Sequence, residues 1–456
     1  MMKNEPASEL NRRSFLKGGS ISTLMSLIGA VELKPEPAAQ GIAGVKIQAG
    51  PKVNCAVIGL GTRGREIAQT LSVLADANVS AVCDPYPSSL RRGAKAAPTA
   101  ASIKDYKQIL ADKEIKAVVI ATPSHEHRQM VIEALNAGKH VYCEAPLAHT
   151  IEDARAIALA ARKAHRQVFQ AGLQTRSESQ RHFLLSFIRA GAIGRPIMVK
   201  TQWHKKQSWR FASPNTEREK ALNWRLSQET SPGLIGEIGI HQVDATSWYL
   251  NSNPVAVTGF GAINFWNDGR DVPDTVQAVF EYPNNVNLIA DCTLANSFDS
   301  MMDVLYGTDS AVMIREEKAW MFKEVDAPLL GWEVYASKQA FYRETGIALV
   351  ANATKLSAQG TAEKEAPPYT NTTLSTALES FLINSRLTGN AVEDFLTNYG
   401  EDEEGLKEYL TDMEKNRLPA AGYQEGYEAT VSVIKANEAI LGKKRIVLDK
   451  ELYQLG

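Results

Sequence analysis

Glu237 and His241 lie four positions apart in the stretch Gly236-Glu237-Ile238-Gly239-Ile240-His241-Gln242-Val243-Asp244. On a continuous α-helix that spacing puts a carboxylate and an imidazole on one face. A carboxylate beside an imidazole raises its pKa and fixes its tautomer. An imidazole held in this way takes the proton from a hydroxyl while the carbon beneath gives up hydride, and such base assistance is worth about 10²–10⁴-fold. The same pair also reads as a structural histidine satisfied by its neighbour. The acid–base reading requires a hydride acceptor held elsewhere in the chain.

Gly59-Leu60-Gly61-Thr62-Arg63-Gly64 supplies a place for one. It follows the apolar run Val53–Ile58 and opens a helical pattern, Arg65–Leu74, with Ile67, Leu71 and Leu74 on one face. In that strand–turn–helix setting Gly59 allows the tight turn, Gly61 lets backbone approach a diphosphate, and Gly64 lets helix and strand pack closely. Thr62 and Arg63 open the helix, whose unpaired amides and positive dipole end face the phosphates. Asp84 ends the next apolar run, 20 residues after Gly64, where a carboxylate accepts both ribose hydroxyls of the adenosine and repels a 2′-phosphate. NAD is therefore favoured over NADP, although Arg91 and Arg92 stand near enough in sequence to accept a phosphate. Asp84 also reads as an Asx turn before Pro85.

His125, Glu126, His127 and His241 invite a metal reading, but they do not form a metal-ligand spacing, and no metal is expected. Cys55, Cys83, Cys143 and Cys292 all sit in apolar strand-like runs and read as buried free thiols. Trp203-His204-Lys205-Lys206-Gln207-Ser208-Trp209-Arg210 and Trp224-Arg225 are dense in flat rings and hydroxyl-bonding groups, as a carbohydrate pocket requires. A sheet edge carrying core tryptophans is the plainer alternative. Arg176, after Gly172-Leu173-Gln174-Thr175, is a further candidate substrate contact.

The elements that must position these residues fall into two bodies. Strand-like runs at 53–58, 79–83, 116–121, 140–143 and 167–171 alternate with helical stretches, the pattern of a parallel, doubly wound α/β sheet over residues 51–170. Residues 171–456 read as an α+β domain. Its strands are expected at 197–202, 255–262, 275–282, 286–292, 303–306, 311–314 and 319–322, and its helices at 372–387 and 427–441. These C-terminal helices are placed to pack back on the first domain. Gly233–Leu250 becomes helical after a glycine-rich approach, and the acidic run Glu401-Asp402-Glu403-Glu404 reads as a solvated insertion between the two late helices.

Together these motifs resemble the Gfo/Idh/MocA superfamily, the glucose–fructose oxidoreductase and inositol dehydrogenase group. The glycine loop, Ala121-Thr122-Pro123 with His127, Gly138-Lys139-His140-Val141, Gly194-Arg195-Pro196, Trp224-Arg225 and the Gly236–Asp244 stretch stand in that family's order over about Lys52–Glu451. The resemblance implies a Rossmann domain and a second domain with an open, mainly antiparallel sheet, the nicotinamide lying between them. It carries cofactor roles onto Thr122, Pro123, Glu144 and Pro146, a cofactor-loop or helix-start role onto His127, substrate roles onto Trp224, Arg225 and Asp244, and catalytic roles onto His241 and Glu237, beside Trp203 and His204 as substrate candidates by residue type. It also implies a homo-oligomer. Two positions depart from it: Ala145 replaces the lysine of the usual Glu-Lys-Pro, and Glu237 stands where an aspartate is common.

Composition bounds the rest. The chain has 456 residues, 44% hydrophobic and 22% charged, with a formal charge of -2. Its mean hydropathy is -0.23. These values exclude wholesale disorder and a polytopic membrane protein, and they provide no basic field for nucleic acid. Asn11-Arg12-Arg13-Ser14-Phe15-Leu16-Lys17, followed by a weakly apolar stretch to Val31, resembles a Tat export signal, with residues 1–50 as signal and linker. The Tat machinery is then a partner, the destination periplasmic, and the cofactor must travel bound. Three functions are compatible: a sugar or cyclitol oxidoreductase, an NAD-dependent glycoside hydrolase that oxidises transiently and eliminates, and a non-catalytic sugar-binding protein.

Overall fold

The computed structural model describes residues 50–315, 318–330, 338–341, 344–349 and 372–456. The twin-arginine pattern lies outside them. The first body runs β1 (Val53–Ile58), α1 (Thr62–Val73), β2 (Ala77–Cys83), α2 (Pro87–Ala96), β3 (Ala101–Ile103), α3 (Tyr106–Ala111), β4 (Ala117–Ile120), α4 (His127–Asn136), β5 (His140–Cys143), α5 (Ile151–Lys163) and β6 (Phe169–Ala171). Its six strands are ordered β3-β2-β1-β4-β5-β6 and pair in parallel. β4 and β5 are buried along their whole length, which is why they read as unbroken apolar runs. The strand order reverses between β1 and β4, and the crevice at their carboxyl ends is where such sheets take ligands.

The second body adds α6 (Ser179–Arg189), β7 (Pro196–His204), α7 (Thr216–Leu222), a π-helical turn (Ile235–Gly239), α8 (Ile240–Leu250), β8 (Ala256–Ala262), β9 (Thr275–Tyr282), β10 (Val286–Thr293), β11 (Met301–Gly307), β12 (Ser310–Arg315), β13 (Lys318–Lys323), β14 (Lys338–Phe341) and β15 (Glu344–Leu349). It closes with α9 (Thr373–Tyr399), α10 (Glu403–Glu414), α11 (Tyr423–Gly442) and β16 (Ile446–Val447). The strands form one sheet ordered β14-β15-β13-β12-β11-β7-β10-β9-β8-β16. It is mixed: β7 and β10 pair in parallel, while the other neighbours are antiparallel.

α9 belongs to the later part of the chain but completes the core of the first body. Leu374, Ala377, Leu378, Phe381 and Leu382, spaced along one helical face, are buried with residues of β1, β2 and α1. The Phe381 ring meets Tyr142 of β5 edge-on at 5.8 Å. Each such buried Leu or Phe contributes about 1.5–3 kcal/mol. The acidic run is exposed and starts a helix between α9 and α11: Asp402 caps α10 by accepting from Gly405 N at 3.0 Å, and Glu403 and Glu404 occupy its first turn. Negative charge is favoured there by the helix dipole. The four cysteines are free and buried. Among the described residues no helix is long and apolar enough to cross a membrane.

Candidate active site

The glycine loop is built as a cradle. Gly59 has φ +93, and a Cβ there would lie 2.6 Å from Ala121 O; a Cβ on Gly64 would lie 1.8 Å from Gly59 O. Only glycine fits at either point. A Cβ on Gly61, by contrast, would meet nothing within 4 Å. α1 starts at Thr62 with no side chain capping it, so its first-turn amides face this open space. An open cradle under uncapped amides fits a dinucleotide diphosphate.

Asp84 is buried behind the loop. Its Oδ2 accepts from Leu60 N at 3.0 Å and its Oδ1 from Tyr86 N at 2.9 Å. The Asx turn is thus present, and the same carboxylate braces the glycine loop while keeping acceptor capacity for a ribose. Arg63 crosses the mouth of the cradle. It pairs with Glu66 at 2.9 Å and Glu144 at 3.3 Å, and donates to Gln174 Oε1 at 2.9 Å. Burial raises the Glu144 carboxyl, against the opposing pull of Arg63.

A partly open polar cleft lies beside this ion pair, with Thr122, His127, Glu144, Ala145, Trp224, Arg225 and Glu237 on its walls. Thr122 Oγ1 is buried without a protein partner, as a ligand-facing hydroxyl would be. Pro123 leads into a single turn over Ser124–Glu126, and Pro146 follows a cis Ala145–Pro146 peptide. Both ring nitrogens of His127 are engaged by the protein. Its Nε2 lies 3.0 Å from Thr122 O, and its Nδ1 lies 3.1 Å from Leu147 O and 3.4 Å from Cys143 Sγ. Burial pushes it down to about 4. It ties the Thr122 loop to the segment after β5 and starts α4, while lining the same cleft.

Glu237 and His241 do not pair. Glu237 lies in the π-helical turn, whose i→i+5 spacing rotates it off the face that His241 occupies on α8. Its Oε1 accepts from Ser124 Oγ at 3.0 Å and Ser231 Oγ at 3.3 Å, and its Oε2 from Arg225 Nε at 3.1 Å. The expected upward shift of His241 is therefore overturned: burial, then the nearby Arg63 charge, lowers its pKa to about 4. The imidazole is neutral near pH 7, its Nδ1 buried and unpartnered. Glycine spacing within Gly236-Glu237-Ile238-Gly239 was the one sequence sign that the helix was not regular.

The substrate candidates divide. Arg225 is stacked between Trp224, at 4.6 Å, and Trp209, at 5.7 Å. Trp209 has φ 63, a left-handed conformation that costs energy for a bulky side chain. Trp203 packs on the core of the second body. His204 bonds Phe298 O at 3.0 Å and faces Asp291 at 3.3 Å. These two positions sit on β7, an interior strand paired on both sides and not a sheet edge. Arg176 and Asp244 spend their charge on each other: Arg176 Nε lies 3.0 Å from both Asp244 oxygens and Nη2 lies 2.9 Å from Oδ1. Asp244 is 2% exposed, so the pair braces α8 from below and makes no wall of the cleft. Sequence reasoning missed Ser124, Ser231, Gln174 and His149. The last stands edge-on to His125 at 5.9 Å, and both Nδ1 atoms are buried without partners. Among the described residues no cluster suits a metal ion.

A parallel, doubly wound domain with a glycine cradle, a mixed-sheet second domain and a polar cleft between them define a two-domain dinucleotide-binding protein. Residues 53–172 match the family model described as "Oxidoreductase family, NAD-binding Rossmann fold", and residues 184–312 match the GFO/IDH/MocA C-terminal domain. The chain belongs to the Gfo/Idh/MocA family, and its first domain is an NAD-binding one. It is 32% identical over 154 residues to 1,5-anhydro-D-fructose reductase of Ensifer adhaerens, covering 34% of this chain and 43% of that one. It is 28% identical over 202 residues to inositol 2-dehydrogenase of Salmonella typhimurium, covering 43% and 54%. A further relative, 2,7-anhydro-N-acetylneuraminate hydratase of Escherichia coli, is 25% identical over 267 residues, covering 58% and 67%. The chain spans about half the length of the first of these curated relatives. Among solved structures, an oxidoreductase domain protein from Kribbella flavida superposes with a TM-score of 0.66 at 16% identity, covering 88% of this chain and all of that one. Levoglucosan dehydrogenase in complex with NADH superposes at 0.64 and 17% identity, covering 87% and 99%. These likenesses show the fold.

Proposed function

We propose that this protein transfers hydride between tightly held NAD and a sugar or cyclitol hydroxyl, with His241 as the acid–base group. One observation carries this reading: His241 keeps a buried Nδ1 with no protein partner and feels the charge of Arg63, the residue that joins the glycine loop to the cleft. The residues that would hold NAD are Gly59, Gly61 and Gly64, the first-turn amides at Thr62 and Arg63, Asp84, Thr122 and Glu144. A bound nicotinamide supplies a two-electron hydride acceptor. The chain does the rest. His241 takes the proton from the hydroxyl being oxidised and returns it in reverse. Arg225, fixed by Glu237 and two indole rings, donates to a neighbouring hydroxyl, and Trp224 offers a flat face to the sugar ring. With Ala145 in the cleft, positive charge there comes from Arg63 and Arg225.

The test is H241A and H241N against the wild type on a panel of sugars and cyclitols, reading NADH formation. We expect a loss of about 10²–10⁴-fold in turnover with NAD still bound. Full turnover in both variants would return His241 to a structural role and assign the proton to another group, whereas no turnover by the wild type across the panel would leave a binding protein as the account.

A second, redox-neutral reading has support in the anhydro-sugar hydratase among the relatives and in Ala145. Aglycone release from aryl glycosides without added NAD and without net NADH would favour it. The Asn11–Lys17 pattern supports export through the Tat route. Fractionation of the full chain and of an R12K/R13K double variant tests this, with retention of the variant in the cytoplasm expected.

A further inference from the structure

Arg218 leaves the second domain and ends on the first. Its guanidinium carbon lies 3.1 Å from the centroid of the Tyr86 ring, and its Nη2 donates to Ser89 Oγ at 3.3 Å. Tyr86 is two residues past Asp84, whose carboxylate holds both the Tyr86 and the Leu60 amides. Arg218 thus sits at the adenosine end of the groove, where the chain leaves β2. Six residues later Trp224 meets the His125 ring at 6.0 Å and walls the cleft at the opposite end, with Thr122 and Glu144. One segment, residues 205–226, therefore touches the first domain on either side of the open space in front of Gly61.

That segment is already folded. The Asn223 amide accepts from Phe211 N at 2.7 Å and donates to Phe211 O at 3.0 Å. Arg210 bonds Glu219 at 2.7 Å, and Asn215 caps α7 by accepting from Arg218 N at 2.8 Å. A strap organised in this way loses little entropy when it closes. Its charge is also suited to the task. Arg65 and Arg92 already stand close enough to oppose one another beside Asp84, and Arg218 adds a third guanidinium to the rim of a diphosphate groove.

We propose that Arg218 is a cofactor-retaining latch: the 205–226 strap closes over NAD, and the Arg218–Tyr86 stack blocks exit of its adenosine half. This rests on the reading that the groove holds NAD. The latch makes release slow compared with turnover, so that a second substrate, not a fresh nucleotide, restores the cofactor between cycles.

The experiment uses the full chain as wild type, R218A, R218K and Y86A. Each is loaded with NADH and chased with excess NAD, and the release is followed by NADH fluorescence. Circular dichroism and melting temperature check that every variant is folded. Loss of a cation–π stack and one hydrogen bond predicts release faster by about tenfold or more in R218A and Y86A. R218K, which keeps the charge but not the planar stack, should fall between them and the wild type. Equal release rates in wild type, R218A and Y86A overturn the latch alone. A folded wild type that binds no NADH overturns both the latch and the function it rests on.

Discussion

Ser124 Oγ donates a 3.0 Å hydrogen bond to Glu237 Oε1 and so joins the loop after β4 to the π-helical turn before α8. The same carboxylate receives Arg225 and Ser231, so one buried acid fixes the first domain, the second domain and the cleft's free guanidinium face together. E237A removes the acceptor of all three. The buried Ser124 and Ser231 hydroxyls lose their acceptor, although Ser231 Oγ still accepts from Gly233 N at 3.2 Å, while Arg225, 40% exposed, is reached by water. We expect a stability loss of about 1–3 kcal/mol from the buried donors, read by chemical denaturation. E237Q keeps an acceptor for the serines and loses the charge that holds Arg225. It should be nearly as stable as wild type and raise KM more than it lowers kcat.

His241 gives a pH prediction with a definite sign. The active form is neutral, so activity is present above the imidazole pKa and disappears as pH falls through it. With burial and Arg63 both lowering that pKa to about 4, the acidic limb of kcat/KM should lie near pH 4 and not near the ordinary histidine value of 6.5. R63Q removes one of the two causes and leaves burial, so the limb should move up without reaching 6.5. A limb near 6.5 in the wild type would mean that a group other than this half-buried imidazole carries the proton. Folding stability follows the same direction. His127, His140 and His241 are all held near 4, so their contribution is present above 6.5 and is lost as pH falls from there through 4. Thermal melting at pH 7 and pH 5 should show the lower value at pH 5.

Much of the fold is legible where burial writes itself into residue type. β1, β4 and β5 are enclosed on both faces, and their apolar runs locate them to within a residue or two. β3 is not visible, because three partly exposed residues carry no period. α9 is legible as a helix, but nothing in the Leu374–Leu382 spacing says which strands its apolar face will meet. In the site, the glycine loop is legible because each glycine answers a separate steric demand. Glu237 and His241 stand out together in the sequence yet do not touch, since four-residue spacing implies contact only on a regular α-helix and a π turn intervenes. Arg176–Asp244 and Ser124–Glu237 join residues 68 and 113 positions apart, and local pattern cannot reach so far.

The glycine loop separates folding from binding at two neighbouring positions. G64A places a Cβ against the Gly59 carbonyl, a backbone atom with nowhere to go, so it should lower the melting temperature sharply or abolish folding. G61A meets no protein atom, and its φ of -60 is one that alanine adopts freely. Its stability should lie within about 0.5 kcal/mol of wild type. Its Cβ enters the space assigned to the diphosphate, so NAD affinity, read by calorimetry, should fall. An unchanged affinity in a stable G61A would place the nucleotide elsewhere.

The Arg176–Asp244 pair predicts the reverse signature, a large effect on folding with little direct effect on recognition. Three N–H···O contacts of 2.9–3.0 Å tie the segment after β6 to α8, and the Arg176 guanidinium also lies over the Trp248 ring at 5.6 Å. Burial raises the Asp244 carboxyl while Arg176 opposes that rise. D244A leaves a guanidinium that is 15% exposed without its counter-charge, and loss of one partner of a buried pair costs about 3–5 kcal/mol. D244N keeps the shape and part of the hydrogen bonding and should cost less. If Asp244 instead touches substrate, D244N will raise KM at unchanged melting temperature. The geometry predicts the opposite: a lowered melting temperature in both variants, and a KM in D244N that stays close to that of the wild type whenever the protein is folded.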